Sequence, residues 1–436
     1  MPHPISPSLP EVHRTLDIPP HRGFWGKMIA FAGPGYLVAV GYMDPGNWAT
    51  DLAGGSKYNY TLLSVILLSS IMAMFLQYLS LKLGIATGKD LAQTCRQHYG
   101  PRAAIPLWLA AEVGIAACDL AEVVGSAIAL NLLFHIPLLV GVIITTLDVL
   151  LLLLLQQKGF RYIEAIVITL IATIATCFGL EILFSKPELF PILKGFLPTP
   201  SIVTDPSMLF IAMGIIGATV MPHNLYLHSS IVQTRRYPLD TIGKNEAIRF
   251  ATLDSNIALS IALLINAAIL ILAASTFYRA GKTDIAEIQE AYKLLTPMLG
   301  VGGASTLFAV ALLAAGQNST LTGTLAGQIV MEGFIHLRIA PWMRRLVTRL
   351  LAVIPAILVI SLVGDSATTK LLLISQVILS MQLSFAVIPL VQFTGTKEIM
   401  GEFVNARWIR FTGWGVATLI ASLNLWLIIV QFHSGF

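Results

Sequence analysis

The sequence predicts an all-α polytopic membrane protein of eleven transmembrane helices, built as two inverted repeats (helices 1–5 and 6–10) plus a last helix. Three observations carry that prediction. The 436 residues are 56% hydrophobic and only 11% charged, whereas a soluble domain is nearer a quarter charged, and the mean hydropathy is +0.78. Apolar segments of spanning length follow one another along the whole chain. Two of them, five segments apart, carry a proline beside polar residues at mid-span.

The apolar segments fall at 28–53, 62–86, 104–134, 137–156, 161–184, 207–234, 247–277, 303–332, 346–364, 370–394 and 408–432. Lipid offers the backbone no hydrogen-bond partners, so segments this long must pair their own N–H and C=O groups as helices. Residues 1–26 are polar, rich in Pro and His, and lack the apolar core of a signal peptide, so they read as a cytoplasmic tail. His3, His13 and His21 in that tail read as solvated. The expected organisation is the tail, a first repeat over 27–184, an extracytoplasmic loop over 185–206, a second repeat over 207–395, and helix 11 with the C-terminus over 396–436. Cys95, Cys118 and Cys177 show neither disulfide nor zinc spacing. With the N-terminus in the cytoplasm, 20 of the 27 Lys and Arg residues fall on the cytoplasmic side and 7 on the other. That bias fixes the orientation, and an odd number of spans then places the C-terminus outside a cell (inner) membrane.

Helix 1 contains Gly41-Tyr42-Met43-Asp44-Pro45-Gly46-Asn47. Pro45 has no N–H for the carbonyl four residues back, that of Gly41, and Gly46 lets the chain leave helical dihedrals cheaply. An ionisable Asp44 in hydrocarbon costs several kcal/mol unless it is paired. By itself the stretch reads equally as a proline kink with a neutral or paired aspartate, or as a cation site at a helix break. Helix 6 repeats the pattern in Gly217-Ala218-Thr219-Val220-Met221-Pro222-His223-Asn224, where Pro222 frees the Ala218 carbonyl. Helices an odd number apart enter the membrane from opposite sides, so the two breaks imply inverted repeats meeting at one centre.

That centre would hold the Asp44 carboxylate, the Asn47 amide oxygen, the Met221 thioether and the Gly41 and Ala218 carbonyls. Sodium or calcium wants oxygen alone, while a thioether favours softer divalent ions. His223 reads as a ligand or as a proton carrier, because imidazole titrates near neutral pH. Glu112, Asp119 and Glu122 of helix 3 share one helical face by spacing. Together with Arg344, Arg345 and Arg349 at the start of helix 9 they read as a proton relay or as a salt-bridge cluster. Of Gln376 and Gln382 in helix 10, one is expected to face the centre. Gly316-Gln317-Asn318-Ser319-Thr320 in helix 8 is read first as close packing and second as pathway lining.

The two break motifs together resemble the Nramp family, the natural resistance-associated macrophage proteins: proton-coupled divalent metal transporters with the LeuT fold. The likeness runs from about Gly33 to the last helix and includes Asp119-Leu120-Ala121-Glu122 and Ser375-Gln376-Val377. It implies that Asp44, Asn47, the Ala218 carbonyl and Met221 bind metal, with the Gly41 carbonyl and Gln376 joining in some conformations. It implies a proton pathway through His223, Glu122, Asp119 and Arg349, with Glu112 at its edge. The family usually has Ala where this chain has Gly41, which leaves a carbonyl ligand unaffected. Helix 9 is longer here between Arg345 and Pro355 than in bacterial members, so the pathway arginine is carried to Arg349. Magnesium-selective relatives replace the site methionine, so Met221 implies import of Mn²⁺, Fe²⁺, Cd²⁺, Co²⁺ or Zn²⁺. The expected partners are metal ions, protons and the lipid bilayer, with no cofactor, no nucleic acid and no obligate protein partner. Two other readings fit the composition: a sodium-coupled amino acid or amine transporter of the same fold, which leaves Met221 without a role, and a membrane-embedded metalloenzyme. For the latter, His-Glu-x-x-His is missing and His223 and His228 lie five apart, off a common helical face.

Overall fold

A computed structural model describes residues 7–19, 23–147, 159–283, 285, 287–337, 340–364 and 367–434. Helix 1 is three pieces: α1 (Phe24–Phe31), α2 (Pro34–Val40) and α3 (Pro45–Tyr58). The first half continues with α4 (Leu63–Thr87), α5 (Leu91–Phe134), α6 (Leu138–Thr145) and α7 (Phe160–Ser185). Two short helices, α8 (Leu189–Gly195) and α9 (Ser201–Thr204), lead to the broken sixth span, α10 (Pro206–Thr219) and α11 (Pro222–Ile231). Then come α12 (Thr241–Thr276), α13 (Ile288–Leu299), α14 (Ala304–Ile335), α15 (Pro341–Val363), α16 (Ala367–Thr394), α17 (Lys397–Met400) and α18 (Arg407–Ser434).

Among the described residues, seven helices are long and apolar enough to cross a membrane, matching expected spans 2, 3, 5, 6, 7, 9 and 10. The other four fall short for separate reasons. Span 1 is cut at mid-membrane, and span 8 (α14) is diluted by Gln317, Asn318, Ser319 and Thr320. Half of span 4, expected at 137–156, lies outside the described residues, as do most side chains in the last turns of span 11. The start of span 3 differs from expectation. Hydrogen bonding in α5 begins at Leu91, where Asp90 and Gln93 form a reciprocal capping box. Gly100, at φ 78° and ψ 173°, then parts a short membrane-face helix from the span proper, a left-handed dihedral that the missing Cβ permits.

The broken helices sit at the heart of the molecule. α3 packs on α12 and α10, α10 on α16, and α11 on α4 and α14, while α14 lies along α5 and α7. Every side chain from Leu37 to Val40 and from Gly41 to Leu52 is buried.

The lower end of helix 1 is tied to the bundle through its backbone. The Gly33 and Gly35 N–H groups donate to the Asp254 carboxylate of α12 at 3.2 and 2.7 Å. The Ala32 carbonyl accepts from Arg161 at 2.7 Å and Arg235 at 2.6 Å. Arg235, fully buried, also pairs with Glu164 of α7 at 2.5 Å.

The first residues do more than hang in solution. Leu16–Asp17 forms a two-residue strand (β1) paired in parallel with Arg235–Arg236 (β2), just beyond α11. Arg14 N–H donates to the Gln233 carbonyl at 2.9 Å, and its guanidinium donates to the Tyr237 carbonyl at 2.8 Å. Further out, Leu9 is buried and its N–H reaches Glu332 of α14 at 3.1 Å, while Gln328 donates to Glu11 at 3.1 Å. Residues 8–17 thus strap the ends of α11 and α14 together. His3 and His21 lie outside the described residues.

Candidate functional site

Both breaks are built the same way. α2 tightens into a 3-10 turn over Gly41–Met43, and Asp44 turns extended at φ −70°, ψ 165°. Pro45 then occupies the first position of α3, where its missing N–H and fixed φ suit a helix start. In the sixth span α10 ends at Thr219, Val220 leaves the helical range at φ −95°, ψ 86°, Met221 is extended, and Pro222 opens α11. Asp-Pro and Met-Pro therefore place one carboxylate and one thioether as the capping residues of two half-helices at membrane depth.

The Asp44 carboxylate uses one oxygen as a helix cap, accepting the Asn47 N–H at 2.9 Å. Its other oxygen accepts no hydrogen bond, and the same holds for Asn47 Oδ1 and Gln376 Oε1, all three fully buried. Asn47 spends its NH₂ group on the Tyr42 carbonyl at 2.7 Å, which turns Oδ1 into a bare acceptor. Gln376 of α16 lies over Gly46 so closely that a Cβ there would overlap its amide, and it comes against the Asp44 carboxylate. Gln382 packs instead against Gly114 of α5. Of the two glutamines, Gln376 is the one at the break. Met221 is fully buried beside Ala117, Cys118 and Leu379, and Ala218 is buried one turn before it. Gly41 faces Asn224 of α11, whose side-chain atoms find no hydrogen-bond partner. The 3-10 turn offers the Gly41 carbonyl to the N–H three residues on, so this oxygen is less exposed than a proline break alone implies.

A second cluster abuts the first. Glu122 accepts from the Ser319 hydroxyl of α14 at 2.7 Å and pairs with Arg349 of α15 at 3.5 Å. Arg349 also donates to Thr320 at 3.2 Å and to the Thr145 carbonyl at 3.3 Å. Asp119 and Glu122 both border Gly323. Cys118 links the two clusters: its thiol donates to Glu122 at 3.4 Å and lies 3.9 Å from His223 Nε2. Glu112 is half-buried and accepts the Trp108 indole N–H at 3.0 Å. The side chains of Arg344 and Arg345 lie outside the described residues.

Several participants escape the sequence reading. Asn266 of α12 donates to the Tyr42 carbonyl at 2.8 Å, fixing the turn before Asp44. Gln77 of α4 donates to the Tyr42 hydroxyl at 2.8 Å and meets His228 at 2.9 Å. Ser319 and Thr320, read as packing, are hydrogen-bond partners of the Glu122–Arg349 pair. Asn266 and Gln77 are each a lone polar residue in an apolar run, a signal of burial against something polar but not of what.

Chemically, the two breaks present buried acceptors: one carboxylate oxygen and two amide oxygens at the first and a thioether at the second. Among the described residues no three His, Cys, Asp or Glu side chains converge as a metal-holding group. A single formal charge with neutral oxygen and sulfur donors suits a cation that is bound and then released, rather than one held permanently.

Comparison with known proteins gives the family and the fold. Residues 35–430 match the Nramp family, described as natural resistance-associated macrophage protein-like. The chain is 62% identical over 423 residues to the divalent metal cation transporter MntH of Nostoc sp., covering 97% of this chain and 96% of that one. It is 61% identical over 429 residues to the protein of that name from Listeria innocua, covering 98% and 96%. Among solved structures, a mutant of the Eremococcus coleocola manganese transporter superposes with a TM-score of 0.92 at 43% identity, over 98% of this chain and 91% of that one. Mhp1, a nucleobase-cation-symport-1 family transporter, superposes at 0.61 with 15% identity, over 92% and 93%, and shares the LeuT-type fold alone. By sequence, fold and the two proline-capped breaks, this chain belongs to the Nramp family.

Proposed function

We propose that the chain imports divalent transition-metal ions by alternating access coupled to protons, with Mn²⁺ and Fe²⁺ as principal cargo and Cd²⁺, Co²⁺ and Zn²⁺ as further substrates. One observation carries the reading. Three buried acceptor oxygens, on Asp44, Asn47 and Gln376 at the break of helix 1, lack any donor, and Met221, with its thioether, caps the matching break of the sixth span. A buried acceptor without a donor costs about 1–3 kcal/mol, and a cation relieves all three at once. The thioether selects against Ca²⁺ and Mg²⁺. Relatives that are named divalent metal cation transporters or manganese transporters support the same cargo.

In this reading Asp44, Asn47, Met221 and the Ala218 carbonyl bind the ion, and the Gly41 carbonyl and Gln376 complete the shell in part of the cycle. Protons follow a separate route by way of His223, Glu122, Asp119 and Arg349, with Glu112 at its far end. The ion enters from the outer side, α3 and α10 close over it, and α1–α2 swing away to open the inner path. The N-terminus is placed in the cytoplasm and the C-terminus outside, as the basic residues require. The test is uptake into proteoliposomes with Mn²⁺, Fe²⁺, Cd²⁺, Ca²⁺ and Mg²⁺, with and without a pH gradient. Asp44→Ala should abolish Mn²⁺ uptake, and appreciable residual transport by that variant would sink the assignment.

A further inference from the structure

The segment joining α7 to α10 carries an apolar surface that its place in the chain does not explain. It belongs to no spanning helix, yet Leu189, Phe190 and Leu193 are 70%, 79% and 61% exposed, and Leu197 and Val203 are exposed as well. These values equal those of lipid-facing residues inside the spans, such as Leu183 at 69%. The opposite side of α8 is packed. Ile192 and Phe196 lie against Tyr60, Leu62, Leu63, Ile202 and Met208, and Gly195 meets the Tyr60 backbone so closely that a Cβ would overlap it. The helix is therefore held on the protein by one face, while a second apolar face has no protein over it among the described residues. Contiguous patches of this kind on a water-facing surface mark a contact with something apolar.

Lipid is the occupant that the surroundings select. The patch follows Leu180 and Leu183, exposed apolar residues at the end of α7, across the short link that carries Lys186 and Glu188. Lys186 and Lys194 are exposed at its borders, where long basic side chains lay their stems on apolar surface and send the ammonium to the phosphate level. We propose that α8 is an interfacial anchor, lying in the leaflet remote from the N-terminus with Leu189, Phe190, Leu193 and Leu197 sunk about 5–10 Å into the headgroup–acyl boundary. The anchor is tied to both broken helices. It rests on Tyr60, two residues beyond α3, and leads through α9 into α10. Movement of the outer half-helices thus works against the bilayer as well as against protein. The inference rests on the chain spanning a membrane and is independent of the ion carried.

Spin labelling of the full chain in phosphatidylcholine–phosphatidylglycerol proteoliposomes tests it. All three native cysteines are buried, so the unsubstituted protein supplies the labelling background. Phe190→Cys and Leu193→Cys are compared with Leu183→Cys as the membrane reference and Lys282→Cys as the aqueous one. At 190 and 193 the ratio of oxygen to nickel-chelate accessibility should match that at 183 and exceed that at 282 several-fold. A ratio like that at 282 would place α8 in water and overturn the proposal. So would low accessibility to both reagents, the signature of a second protein copy covering the face.

Discussion

At the scale of single residues, the proposed site depends on which lone pairs are left over after folding. Asp44 gives one oxygen to the cap of α3 and Asn47 gives its NH₂ to the Tyr42 carbonyl, so each keeps one bare oxygen. This division of labour was half legible in the sequence. Asp-Pro and Met-Pro announce a helix start preceded by a polar or soft group, because proline is at home at the first helical position. That Asn266 and Gln77 would hold the turn through Tyr42 was not legible, since those contacts join residues far apart in the chain. Met221 carries the selectivity argument. Met221→Ala should lower Cd²⁺ affinity by about tenfold, the scale on which single changes at metal sites act, and let Ca²⁺ compete in uptake. Isothermal titration with both ions checks it, and an unaltered Cd²⁺ to Ca²⁺ preference contradicts the thioether's role. Glu122 belongs to the other cluster. Glu122→Gln keeps an acceptor for Ser319 but removes one charge facing Arg349, and removing one member of a buried pair costs up to about 3–5 kcal/mol. The variant should melt earlier and bind Mn²⁺ almost normally, while its uptake loses the response to a pH gradient. Retention of that response shows that the proton goes elsewhere.

At the scale of elements, the spans were readable because hydrocarbon imposes a length and a composition, whereas the tail was not. Residues 8–17 have no periodicity, and their strand partner, Arg235–Arg236, lies more than two hundred residues away, so no local pattern foretold the strap. Its chemistry makes it sensitive to acid. His13 sits half-buried beside Arg14, and burial first, then the Arg14 charge, hold its pKa below the usual 6.5. The docked strap therefore disfavours the imidazolium. Docking is complete above pH 6.5, where the imidazole is neutral whether docked or free, and weakens as the pH falls and the released strap takes up the proton first. Intrinsic amide exchange slows as the pH falls from 7.5 to 5.5; over residues 8–17 it should slow less than that, an excess that reports falling protection of the strap. His13→Gln should remove that excess. Equal excess in the variant assigns the effect to another group.

At the scale of the whole molecule, the site is shut on both sides. Asp44, Asn47, Met221, His223 and Gln376 are all buried, so transport requires one of the covers to move. In the proposed orientation the outer cover is α3, α10 and α16, packed on one another. The inner cover is then α1 and α2, two short pieces held through backbone groups by Asp254, Arg161 and Arg235. Arg235 is the keystone of that lock, since it binds Glu164 and the Ala32 carbonyl together, and its removal leaves a buried carboxylate without this partner. The inverted repeat was legible from two prolines; the lock was not, because its charges come from three different spans and their tips. Arg235→Ala should therefore shift the protein toward the form open to the cytoplasm without touching the site itself. Cys118 is a native reporter, buried between Glu122 and His223. In inside-out vesicles its alkylation by a membrane-impermeant maleimide, followed by mass spectrometry, should be slow in the unaltered chain and at least tenfold faster in Arg235→Ala. Bound Mn²⁺ should protect it in both. If Cys118 reacts no faster in the variant, the inner end of helix 1 is held by packing, and the charge network does not set the gate.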